Sequence, residues 1–177
     1  MLYKERPISS LTNIISTVNI KLGRVLLYGF VLVMLGSGCK SPASELQELD
    51  LMSDGIPIKI KAPVGAKVKK KDMGLFQDIT IKDGEGFYIQ ITAGQLYNSN
   101  AKVRKTEELE AIKQLISFSR IIKEDEQGFI FERKKGDELT YDFRRIKIQG
   151  ETEYLFQTGL VGNFDLESVE LMYDAVK

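Results

Sequence analysis

The chain has 177 residues, about one ordinary domain, with 25 basic and 25 acidic residues and enough apolar content (43%) for a core. It contains no His and one Cys, which excludes Ser-His and Cys-His nucleophile pairs, the commonest zinc ligands and any intrachain disulfide. Without a basic excess it has no electrostatic footprint for nucleic acid.

The first element in chain order is Val25–Leu35, eleven residues, apolar except for Tyr28 and Gly29. Lys21 and Arg24 precede it, and Gly36-Ser37-Gly38 lead directly into Cys39. This is the anatomy of an export signal, with a basic flank, a short apolar core and small residues at the scissile bond. A membrane-spanning helix would need about 20 apolar residues. The stretch LGSGC resembles the lipobox of bacterial lipoproteins, with Gly36 where that family usually has Leu and Leu35 one place earlier. The resemblance implies that residues 1–38 are a signal peptide removed in processing and that Cys39 carries lipid. The long region before the apolar core is expected to reflect an upstream start. By the same resemblance Lys40, in the place where Asp tends to retain such proteins in the inner membrane, favours the outer membrane. Processing would remove Lys4, Arg6, Lys21 and Arg24 but only one acid, Glu5, leaving a mildly acidic chain.

Residues 39–55 read as the lipidated cysteine and a flexible polar tether, of which residues 40–50 would reach roughly 15–20 Å. A short helical turn over 44–51 is an alternative for part of it. The domain is expected over 56–177. Ile56, Ile58 and Ile60 alternate with Pro57, Lys59 and Lys61, the period of a half-buried strand that begins at, or lies at an edge because of, the proline. Residues 66–70 form a second strand. Lys69-Lys70-Lys71 reads as a lysine-blunted sheet edge ahead of an anionic-lipid contact.

Strands over 76–82 and 87–93 flank Asp83-Gly84, a hairpin signal. Phe87, Ile89 and Ile91 point one way and Tyr88, Gln90 and Thr92 the other. A helix is predicted over 102–118, with Leu109, Ile112, Leu115 and Ile116 as its buried stripe. Strands follow over 120–125, 129–134, 139–148 and 154–160. In the third of these, Leu139, Tyr141 and Phe143 are out of phase with Ile146 and Ile148, which predicts a β-bulge at Arg144-Arg145. A helix over 165–176, capped by Asp165 or Asn163, buries Leu166, Val169, Met172, Tyr173 and Val176.

The reading is α+β: an antiparallel sheet in ββββ-α-ββββ-α order covered by two amphipathic helices. That order resembles the α/β/α sandwich of the extrinsic photosystem subunit PsbP and its bacterial relatives, from which no functional residue carries over. The function expected is a non-catalytic binding or assembly module, anchored to a membrane on the periplasmic side through Cys39 and engaging a protein partner. Arg144 and Arg145 are its candidate contact surface, because a bulge re-aims side chains and arginine binds carboxylate or phosphate bidentately. An ion pair with Glu132 or Asp142 is the alternative for these arginines. No cofactor and no metal are expected; the acids Asp83/Glu85 and Glu124/Asp125/Glu126 lack calcium-loop spacing. The alternative function is an enzyme using carboxylate, Lys or Tyr chemistry, for which Glu132 and Asp142 would be the carboxylates.

Overall fold

The computed structural model describes residues 45–177. They form β1 (Leu46–Asp50), a 3-10 turn (Leu51–Asp54), β2 (Lys59–Pro63), β3 (Lys67–Asp72), β4 (Phe76–Asp83) and β5 (Phe87–Gln95). After these come α1 (Ala101–Lys113), β6 (Phe118–Glu124), β7 (Gly128–Lys135), β8 (Glu138–Gln149), β9 (Thr152–Thr158) and α2 (Leu166–Ala175). Strands β3 to β9 make one antiparallel sheet in the order β3-β4-β5-β9-β8-β7-β6, and β1 with β2 makes a separate ribbon. Two meanders thus build the sheet. The chain leaves β5 at the centre, crosses through α1 to the far edge, and works back until β9 closes against β5.

Alternation within each strand separates two faces. One carries Ile79, Ile81, Ile89, Ile91, Ile130, Phe143 and Phe156, covered by Val169, Met172 and Tyr173 of α2 and by Ile56, Ile58 and Ile60 of the ribbon segment. On the other, Phe129 and Phe131 of β7 pack under Leu109 and Ile112 of α1. Phe129, Ile130 and Phe131 are all fully buried because β7 is covered on both sides. Each helix is capped by the side chain its sequence offers. Asn100 accepts from the Lys102 and Val103 amides, and Asp165 from the Ser168 amide. Neither helix is long and apolar enough to cross a membrane.

Four expectations are corrected. Five strands, not four, precede α1, because Leu46–Asp54 belongs to the compact unit and is not tether. Leu46 to Asp50 pair with Pro63 to Lys59, and Leu51 is fully buried, its amide donating to Ile58 O at 3.1 Å. The first helix stops at Lys113: Ser117 O accepts from the Lys134 amide at 2.7 Å, drawing the chain into β6 and leaving Ile116 fully exposed. No bulge lies at Arg144-Arg145, where the register of β8 with both neighbours is continuous. Phe143 faces α2 and Ile146 the α1 side, so burial on both faces mimics a slip of phase. The irregularities fall instead in β6, between Phe118 and Arg120 and between Ile121 and Lys123.

Candidate binding face

Where α2 and the β1–β2 ribbon cover one face of the sheet, the opposite face is covered by α1 only over β6 to β8. Among the described residues, neither helix covers the half of that face built from β3, β4, β5 and β9. Register partners in an antiparallel pair share a face, so the pairings define rows across it. Lys69, Thr80, Gln90, Gln157 and Arg144 form one row over five strands, roughly 19 Å at about 4.8 Å per strand. Lys67, Lys82 and Tyr88 form the row on one side of it, and Lys71, Asp78, Thr92 and Leu155 the row on the other.

The floor is held rigid by hydrogen bonds along and between these rows. Gln157 Nε2 donates to Gln90 Oε1 at 3.2 Å, and Gln90 Nε2 donates to Asp78 Oδ1 at 2.6 Å. At one end, Lys67, Lys69, Thr80, Lys82, Asp83 and Tyr88 line an open cavity of about 430 Å³. The Lys82 ammonium lies 5.2 Å from the centre of the Tyr88 ring. That ring rests on Gly159, whose amide donates to Tyr88 O at 2.8 Å; a Cβ there would meet the ring at 2.3 Å. Gly159→Ala is therefore expected to displace Tyr88 and lower stability by about 1–3 kcal/mol, visible as an earlier urea midpoint. An unchanged midpoint would mean the ring is not held there.

The two sequence-picked arginines lie on opposite faces. Arg144 continues the polar row into β8, in the half that α1 covers. Its guanidinium lies 5.6 Å from the Phe131 ring centre and donates to Phe143 O at 2.8 Å, and it makes no ion pair among the described residues. Burial lowers its pKa from the ordinary arginine value, and the nearby Asp142 acts against that. Arg145 turns into the α2 side, 5.1 Å from the Tyr173 ring centre, and pairs with Asp125 at 3.0 Å. It is a structural cation. Cys39, the remaining sequence-picked residue, lies outside the described residues.

Glu132 and Asp142 are also separated by the sheet. Asp142 is the register partner of Phe131, on the α1 side, where Arg133 Nε lies 2.8 Å away; burial raises its pKa. Glu132 is on the other face, holding Ser119, Arg120 and the Tyr141 hydroxyl. The two carboxylates cannot act on one bond. Among the described residues no three potential ligands gather as a metal site would need.

Sequence reasoning found the lysines of β3 but not the face. Their alternation is visible in VKKK, yet which residues share their row depends on register across four further strands. No family model, curated protein or solved structure matches the chain.

Proposed function

We propose that this chain is a lipoprotein, anchored through Cys39 to the periplasmic side of a bacterial membrane, and that its domain is a non-catalytic module binding a protein partner. Lys40 points to the outer membrane. One observation carries the binding reading. Lys67, Lys69, Lys71 and Lys82 share the open face of a mildly acidic chain, and none of them forms an ion pair among the described residues. Unpaired cations over a fixed hydrogen-bonded floor suit a partner segment that presents carboxylates.

Reversing three of these charges tests it. The chain with Lys67→Glu, Lys69→Glu and Lys82→Glu is expected to lose on the order of tenfold or more in affinity for polyglutamate at low salt. Its melting temperature should hold, because exposed substitutions cost within about 0.5 kcal/mol. The parent's binding should weaken as salt is added. Equal affinity of parent and triple variant would reject this face as the binding surface.

A further inference from the structure

We infer that the end of the domain at which β1 begins lies directly on the bilayer surface and dips apolar side chains into it. The inference rests on the lipoprotein reading of Cys39. It starts from the correction to the tether: the first strand begins at Leu46, so only seven residue steps separate it from Cys39. Fully extended, that is about 25 Å at most.

Register says what this end of the domain contains. Leu46 pairs with Pro63 at the close of β2, and Val64 follows in the turn to β3, 68% exposed. Ile89 pairs with Thr158, so the chain leaving β9 carries Leu160 (77% exposed) and Val161 (78%) at the same end. Leu139, at the start of β8, lies there too, next to the turn that closes Lys135 against Glu138. Ile116 joins them, since the preceding helix runs towards the end of β7 where the Lys134 amide meets Ser117 O. Five large apolar side chains thus stand in water at the end the anchor holds close to lipid.

The opposite end also exposes Met52, Met73, Leu75, Phe76 and Tyr97, so exposure alone does not separate the ends, and chain length decides between the two. Strand β5 alone has nine residues, roughly 30 Å at about 3.4 Å each. A tether of about 25 Å cannot invert a body of that length to bring its far end to the same bilayer. The near end is therefore the one that meets lipid, and contact removes its apolar surface from water.

The chain has no Trp, so a single introduced Trp reports its own surroundings. Full-length lipidated protein with Val161→Trp, Ile116→Trp or Leu75→Trp would be placed in phosphatidylcholine vesicles with acyl chains brominated at mid-length. These positions are exposed, and unchanged circular dichroism would certify folding. Emission from Trp at 161 and 116 is expected to fall at least twofold, and that from Trp at 75 to stay constant. Palmitate labelling of Cys39 is measured in the same preparations. If Cys39 is labelled and Trp at 161 is not quenched, the docking is wrong while the anchor stands. If that quenching fails and crosslinking finds a dimer through this end, a second copy covers it and the inference is equally overturned. If the parent chain takes up no palmitate, the lipoprotein reading falls and the docking with it.

Discussion

A chain beginning at Gly55 is expected not to fold, whereas one beginning at Glu45 should melt cooperatively. The difference lies in the ten residues 45–54, which look like linker. Leu46 to Asp50 complete the ribbon with β2, and the turn after them inserts Leu51 beneath it with no exposed surface. Leu51 also closes the ribbon's loop: its amide donates to Ile58 O, and its carbonyl accepts from the Ile56 amide at 3.0 Å. Deleting this segment exposes the side of Ile58 and Ile60 and leaves β2 without a partner. The single change Leu51→Ala isolates the packing part, and a cost of about 2–5 kcal/mol is expected for a fully buried leucine. For a small domain that is a large share of total stability. Urea unfolding followed by circular dichroism measures both. A cooperative, unshifted melt of the chain from Gly55 would show that the ribbon contributes nothing.

Why this segment reads as tether in the sequence is physical. In LQELD only Leu46 and Leu49 are apolar, three apart, which suits a helical face better than a strand. Both are half-buried, because a two-stranded ribbon at the margin of a core has little to alternate against. Strands with one dry face and one wet face were legible. The hairpin of β4 and β5, with Ile79, Ile81, Ile89 and Ile91 alternating around Asp83-Gly84, is where the pattern places it. So is the cap and stripe of α2, where Asp165 and then Val169, Met172 and Tyr173 do what their spacing implies.

Legibility fails where both faces are dry. Phe143 and Ile146 belong to different faces of β8, and one-dimensional alternation cannot separate that from an inserted residue. The true irregularities in β6 left the same kind of mark, adjacent Ile121 and Ile122, in a strand whose edge position gave no reason to look. Of the candidate site, the charges were legible and their grouping was not, since Arg144 joins Lys69 in one row only through the register of the three strands between them.

Arg145→Ala is expected to destabilise the domain by about 2–4 kcal/mol, more than Arg144→Ala, whose guanidinium packs on Phe131 but holds no ion pair among the described residues. The asymmetry follows from what each guanidinium holds. Arg145 donates to Asp125 Oδ2 at 3.0 Å and Gln127 Oε1 at 3.2 Å, across the turn between β6 and β7. Asp125 Oδ1 accepts from the Gln127 and Gly128 amides at 2.9 Å each, and Lys105 Nζ donates to Asp125 O. This turn is pinned to the sheet and to α1 at once. Removing the cation leaves a carboxylate without its charged partner. Breaking a buried pair costs about 3–5 kcal/mol, reduced here because Asp125 keeps about a third of its side-chain exposure.

Acid provides the independent check. Burial works against the Asp125 charge, but the Tyr173 hydroxyl, the Gln127 amide and Arg145 outweigh it and hold the carboxyl at about 2, below its ordinary 3.8. A group depressed in the folded state takes up protons on unfolding, so it adds stability that is full above about pH 4 and is lost as pH falls towards 2. Without Arg145 the folded carboxyl moves back towards its unfolded value, and the slope of stability against pH between 4 and 2 should flatten. Asp125→Asn should flatten it as well. A Arg145→Ala chain with parental stability at neutral pH and an unchanged acid slope would show that the pair does not hold the turn. The sequence placed Arg145 on a contact surface, but its side chain is buried with both terminal nitrogens bonded to Asp125 and Gln127, and any loss of partner binding in that variant should track its loss of fold.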